Sequence, residues 1–217
     1  MKLYVIRHGQ GLNNVGKALV PNCELTELGQ QQAQAIPDFF RDRAVDKIYC
    51  SPFTRTIRTA EPLAEGKNRT ITLVPELCEH FNGNWPRYGD YSWETSQAIM
   101  QQFDSVQFVD RYDPAHNWWP VWPETHEQVD ERIRSFYASE LRPILDSDAS
   151  IVVIGHGATT QSLRTLVCPE GIYPDIPGGT NAVIYEYELN SRGECVYYHM
   201  HLEHLADCLS PRKNLEG

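Results

Sequence analysis

The chain lacks any apolar run long enough to cross a membrane or direct export. Its longest N-terminal apolar stretch, Leu3-Tyr4-Val5-Ile6, is ended by Arg7-His8. A spanning helix needs about 20 apolar residues, and an export signal needs a longer core with a cleavage site. A cytoplasmic location is therefore expected. Basic residues are also scarce: 19 Lys and Arg stand against 29 Asp and Glu, a formal net charge of -10. Affinity for nucleic acid or anionic membranes is drawn from Lys and Arg, so neither is an expected partner. No C-x-x-C pair occurs. Cys23, Cys50, Cys78, Cys168, Cys195 and Cys208 are scattered without regular His spacing, so no metal or other cofactor is expected. Without an export signal, disulfides are not expected either. Cys50 and Cys78 lie in or beside apolar runs and read as buried thiols. Repeats and low-complexity tracts are missing too.

What is present is an ordinary globular composition. Of 217 residues, 41% are hydrophobic and 22% charged, which excludes wholesale disorder and favours one domain over 1–217. Strands are predicted over Lys2–Ile6, Lys47–Cys50, Thr70–Val74, Ile151–Ile154 and Ala182–Leu189. Leu-Tyr-Val-Ile and Ile-Val-Val-Ile are continuous apolar runs, as in strands buried on both faces of a parallel sheet. Ala182–Leu189 starts apolar and then alternates, which suits an edge position. Glu194–His201 is expected to pair with it as a hairpin across residues 190–193.

Helical stretches separate these strands. Thr26 is the predicted N-cap before Ala33, Ile36 and Phe40. A second helix starts at Thr54 or Arg55 and ends near Gly66. Thr125 with Gln128 forms a capping-box pattern before Val129, Ile133, Phe136 and Leu141, with Pro143 closing the helix. Ala158–Val167 is a short helix stopped by Pro169. The alternation predicts a three-layer α/β/α fold, with a mostly parallel central sheet and helices on both faces. An irregular, aromatic-rich insertion over about 80–123, holding all five tryptophans, is expected to cover the C-terminal edge of the strands.

Ligands of open parallel sheets bind beyond the carboxyl ends of the strands. The first strand is followed by Arg7-His8-Gly9-Gln10, the second by Ser51-Pro52-Phe53-Thr54-Arg55. The third is followed by Pro75 to His80, and the fourth by Gly155-His156-Gly157. Two histidines, two arginines and one or two carboxylates thus leave toward one edge. Arginine forks match the oxygens of a phosphomonoester. Histidine can serve as a covalent nucleophile, and flanking glycines remove the side-chain wall around it. A carboxyl group can protonate the leaving oxygen if its pKa is raised into the working range. Cationic side chains can supply the charge stabilisation without a metal.

These segments also resemble a known family. Arg7-His8-Gly9-Gln10 with Asn14, followed by Leu25-Thr26-Glu27-Leu28-Gly29 and Gln32-Ala33, is similar to the N-terminal signature of the histidine phosphatase superfamily, the phosphoglycerate mutase-like fold. Ser51-Pro52 with Arg55-Thr56 and Thr59-Ala60-Glu61 resembles its second motif. Leu77-Cys78-Glu79 with Gly83 resembles its acid-donor segment, and Glu124-Thr125 with Arg132 the segment before its penultimate core helix. Gly155-His156-Gly157 resembles its second histidine motif. The matches fall in order from residue 2 to about 167.

The resemblance implies that His8 becomes phosphohistidine. It implies that Arg7, Arg55 and His156 bind phosphoryl oxygens with Asn14 as a further polar contact, and Gly157 and Gln10 are placed with them at the substrate. Glu79 would be the proton donor and then the base for water. Glu79 is preferred to Glu76 and Glu94 by the family pattern and its four-residue spacing to Gly83. One departure is Gly11, where many relatives carry Ser or Thr; its bare position removes a contact and is expected to widen the pocket.

Plainer readings apply elsewhere. His80 is expected at the solvent or in a pocket wall. His116, His126, His199, His201 and His204 are expected to be ordinary. His199 and His201 alternate on one strand face, but no carboxylate or cysteine partner is evident in sequence. The tryptophans are expected to be insertion core first and substrate platform second. The insertion holds Arg87 and Arg111 against five carboxylates, without the arginine pair that the family's mutases carry there. The leading expectation is therefore a metal-independent phosphomonoester hydrolase acting on a small phosphorylated metabolite. A phosphoglycerate mutase is the alternative, and an inactive phospho-ligand or protein-binding module comes third. Oligomeric state is not legible.

Overall fold

Every predicted strand enters one seven-stranded sheet of order β4-β3-β2-β5-β1-β6-β7. The elements are β1 (Lys2–Arg7), α1 (Glu27–Phe40), β2 (Lys47–Cys50), α2 (Thr54–Lys67), β3 (Ile71–Leu73), α3 (Ser96–Gln102), β4 (Val106–Phe108), α4 (His126–Phe136), β5 (Ser150–Gly155), α5 (Gly157–Val167), β6 (Ile184–Leu189) and β7 (Cys195–His201). The structure, a computed structural model, describes residues 1–18, 20–83, 85, 88–170 and 181–209. Arg87 and the end of the tail, 210–217, lie outside the described residues.

Strands β1 to β5 are mutually parallel, whereas β6 and β7 run antiparallel as the expected hairpin. The apolar runs of β1 and β5 pair with each other, Leu3 with Ile151 through Ile6 with Ile154. All eight of these side chains are buried, which is why both strands read as unbroken hydrophobic runs. Tyr4 pairs with Val152, and Val152 with Ile48, so the three share one face. On that face Tyr4 meets Phe39 and Phe40 of α1. The next residue of β2, Tyr49, points the other way and meets Phe136 of α4. Helices therefore cover both faces, as expected.

The caps agree with the sequence. Thr26 accepts from the Gly29 N–H at 3.0 Å, and Thr125 and Gln128 form their reciprocal box; each cap contributes about 1 kcal/mol. Two expectations need correction. The last predicted helix turns do not run regularly to Pro143: α4 ends at Phe136 and passes into a π turn at Tyr137–Leu141. The insertion is not wholly irregular either. It supplies α3 and the edge strand β4, which pairs with β3 through Ile71–Val106 and Leu73–Phe108. Among the described residues no helix is long and apolar enough to cross a membrane.

Candidate active site

The carboxyl ends of β1, β5 and β2 are flush. The His8 N–H donates to Gly155 O at 2.9 Å and the Ser51 N–H donates to Ile154 O at 3.0 Å. Residues following the three strands therefore emerge side by side at the crevice where α/β sheets bind ligands. His8 and His156 are both buried, with ring centroids 5.1 Å apart. Arg55, in the first turn of α2, is fully buried; its Nε donates to His8 Nε2 at 3.3 Å and its Nη1 to Pro21 O at 2.9 Å.

Neighbours fix the tautomer of His8. Its Nδ1 lies 2.6 Å from Gly9 O, which can only accept, so Nδ1 carries the proton and Nε2 the lone pair. Burial, then the guanidiniums of Arg55 and Arg7, hold the imidazole well below its usual value of 6.5. His156 is held down by burial, Arg55 and His8. Its Nε2 sits 2.8 Å from Ser51 Oγ, and its buried Nδ1 has no hydrogen-bond partner. Arg55 Nη2 is likewise buried and unmet. Each such orphan costs about 1–3 kcal/mol unless a ligand satisfies it. Burial also pulls Arg7 and Arg55 below the ordinary guanidinium value, and the Glu79 carboxylate pulls both back up. A side chain at Gly157 would start 3.9 Å from Arg7 Nε, so the first turn of α5 lies bare against that guanidinium.

Glu79 stands beside this pair of rings, its Oε2 3.8 Å from His156 Nδ1 and its Oε1 accepting from the His80 N–H at 2.9 Å. The rival carboxylates are elsewhere: Glu76 is ion-paired with Arg111, and Glu94 is exposed. The segment is clamped by Arg132, which grips Glu124 with two bonds of 2.7 and 3.0 Å and donates to the carbonyls of Glu76 and Glu79.

Other expectations fare differently. Asn14 Oδ1 is taken by the Gly11 N–H and Asn181 Nδ2, which leaves its amide nitrogen as the donor end. Gln10 turns to α1 instead: its N–H donates to Gln32 Oε1, and its Oε1 accepts from Thr26 Oγ1. Gly9 is glycine because of packing, since a Cβ there would sit 2.5 Å from Gly29 O. Position 11 does not widen the pocket; a Cβ would meet Asn13 Oδ1 at 2.6 Å and Arg55 Cδ at 3.2 Å. His80 is not at the solvent: it is buried, with Nε2 2.8 Å from Glu124 O. Cys50 and Cys78 are buried free thiols, and burial pushes Cys78 up to about 12.

Sequence reasoning missed several supports. Ser51 orients His156, Thr59 Oγ1 accepts from the Gly9 N–H, and Asn181 donates to His8 O at 2.9 Å. Ser51 and Thr59 stood inside matched motifs. Asn181 carries no local signal, since it meets His8 only through the fold. The insertion roofs the site with aromatics: Phe53 contacts His156, Phe81, Trp93 and Trp118 at 5.0–5.6 Å between centroids. Size alone does not locate the chemistry. A groove of about 1170 Å³ between α1 and α2 is lined by Glu24, Gln34, Arg58 and Glu61 and by neither site histidine.

The family model of the histidine phosphatase superfamily (branch 1) matches residues 3–197. The chain belongs to this superfamily. Among its relatives is the adenosylcobalamin/alpha-ribazole phosphatase of Salmonella typhimurium, 34% identical over 90 residues, which cover 39% of this chain and 43% of that protein. The match thus spans less than half the length of that relative. The glucosyl-3-phosphoglycerate phosphatase of Mycobacterium tuberculosis is 27% identical over 191 residues, covering 83% of this chain and 82% of that one. A solved phosphoserine phosphatase from Entamoeba histolytica, in complex with 3-phosphoglyceric acid, shares the histidine phosphatase fold. It has a TM-score of 0.60 and 20% identity over 94% of this chain and 98% of that one.

Proposed function

We propose that the protein is a metal-independent phosphomonoester hydrolase that works through a phosphohistidine at His8. The observation that carries this reading is the His8 environment: Nδ1–H is tied to Gly9 O, so the lone pair is on the atom nearest Arg55. In the first step Nε2 attacks phosphorus, a P–N bond forms, and the bond from phosphorus to the leaving oxygen breaks. Arg55 Nη2, Arg7 and the Asn14 amide donate to the phosphoryl oxygens. His156 donates through Nδ1 in the tautomer in which its Nε2 accepts from the Ser51 hydroxyl. Glu79 delivers a proton to the leaving oxygen. It then takes one from the water that attacks the phosphohistidine, releasing inorganic phosphate and restoring His8.

A second reading has one observation in its favour. The ligand atoms of His8, Glu79 and His156 all lie within 4.8 Å of one another, a spacing that a divalent cation could use. Against it, the guanidiniums of Arg55 and Arg7 beside His8 make the pocket electropositive, which favours an anion over a cation. Turnover is therefore expected to survive a strong chelator. Loss of activity that a metal restores would replace the first reading with the second.

The substrate class follows from the roof. Among the described residues of 80–123, Arg111 is the one Arg or Lys, and it is bound to Glu76 and Glu140. Among these described residues, a second anionic group on the substrate finds no cationic side chain that is not already ion-paired. We infer a small monophosphate with an uncharged or aromatic remainder, in keeping with a relative named an adenosylcobalamin/alpha-ribazole phosphatase. A panel of phosphorylated metabolites assayed beside a phosphoglycerate mutase assay tests this. Preference for phosphoglycerate isomerisation over hydrolysis would overturn it.

A further inference from the structure

A second histidine cluster lies outside the pocket, on the α1 face of the sheet at the antiparallel edge. In β7, His199 and His201 point to the same face, and Glu203 follows in a 3-10 turn at Glu203–Leu205. The sequence shows no carboxylate partner for these histidines, but the fold supplies two. Register sets Glu186 of β6 directly opposite His199 and beside Tyr4 of β1. Glu186 is buried, and its Oε2 lies 2.8 Å from His201 Nε2. Its Oε1 accepts from Tyr4 OH at 3.2 Å and faces Lys2 Nζ at 3.8 Å.

This arrangement has a consequence for His201. A carboxylate on Nε2 keeps the proton there and turns the lone pair to Nδ1. Nδ1 faces Glu203 Oε2 at 3.8 Å. Ligand atoms of His199, His201 and Glu203 all lie within 4.8 Å of one another. Histidines that bind metals characteristically donate their other ring N–H to a carboxylate, which is the relation between His201 and Glu186. We propose that His199, His201 and Glu203 bind a borderline divalent transition-metal ion such as Zn²⁺, with Glu186 as the outer carboxylate that orients His201. Bonds of about 2.0–2.2 Å set tetrahedral ligand atoms about 3.3 Å apart. Rotation of the exposed His199 and Glu203 side chains closes that gap. Two nitrogens and one oxygen suit Zn²⁺ better than the oxygen-seeking Mg²⁺ or Ca²⁺. The ion would pin the end of β7 to the turn after it. It takes no part in the chemistry at His8, since Ile184 stands between His201 and Ile6 in the register.

Calorimetric titration of the full, tag-free chain with Zn²⁺ tests this, with circular dichroism as the folding control. One ion per chain is expected. His199→Ala and Glu203→Gln, both on exposed side chains, should each weaken binding at least tenfold, and Glu186→Gln by about 10–100-fold. His8→Ala should leave the affinity unchanged, and Glu203→Gln should leave phosphatase turnover unchanged. Binding that ignores His199→Ala and Glu203→Gln, binding lost only in His8→Ala, or no saturable binding at one equivalent would each overturn the proposal.

Discussion

Two pairs of histidines sit on one sheet and face opposite electrostatic worlds. His8 and His156 are buried at the ends of parallel strands beside Arg7 and Arg55. His199 and His201 stand on the last antiparallel strand beside Glu186 and Glu203. In the pocket, His8 Nδ1 is pinned by a carbonyl and Nε2 is presented toward guanidiniums, an arrangement for an anion. At the edge, His201 Nε2 is pinned by a carboxylate and Nδ1 is presented toward another, an arrangement for a cation. The residue type is shared; what binds is decided by the charge of the neighbours and by which ring nitrogen they occupy.

The contrast can be broken most severely at His8. His8→Ala should lower hydrolysis by about a thousandfold or more, whereas His199→Ala should leave steady-state turnover within twofold. Next comes Arg55→Ala, expected to lose about 10²–10³-fold in kcat, as for removal of one preorganised donor to developing charge. Glu79→Gln sharpens the picture by leaving group. It should slow alkyl phosphates by about 10²-fold or more and nitrophenyl phosphate far less, because a good leaving group needs little protonation. Equal slowing would remove Glu79 as the acid. Arg132→Lys breaks the two-bond grip on Glu124 and loosens the Glu79 peptide. About a tenfold fall in kcat with little change in KM is expected, together with a changed pH profile.

The smallest effect is on stability. Both pocket histidines have depressed values in the folded state, so below about 6.5 the unfolded chain binds more protons than the folded one. Their contribution is complete above that pH and declines as pH falls from there toward the folded values. Each contributes a slope of about 1.4 kcal/mol per pH unit. Denaturant titrations across pH 5–7 should show this slope reduced in His8→Asn.

Legibility in the sequence followed the same divide. The pocket was readable because its parts stand directly after strands, and strands β1 and β5 announce themselves as four-residue apolar runs. Thr26 and the Thr125–Gln128 box marked helix starts because capping is local chemistry. Relations across the fold were not readable. The Glu186–His201 contact requires the β6–β7 register, and Asn181 reaches His8 across 173 residues. Strand β4 has three residues, too few for alternation to show, and its pairing with β3 defines it. The sequence suggests access to phosphorus at Gly9 and a wider pocket at Gly11, yet packing against Gly29 at the first and against Asn13 and Arg55 at the second accounts for their bareness.

The account turns on whether phosphorus is ever bonded to the imidazole of His8. Mixing the enzyme with a turned-over phosphomonoester, quenching in alkali within the first turnover and mapping the peptides by mass would decide it. A single acid-labile phosphoryl group on the peptide containing His8, absent from His8→Ala, is the predicted result. Full hydrolysis with no label at His8, or label that persists in the variant, would contradict it.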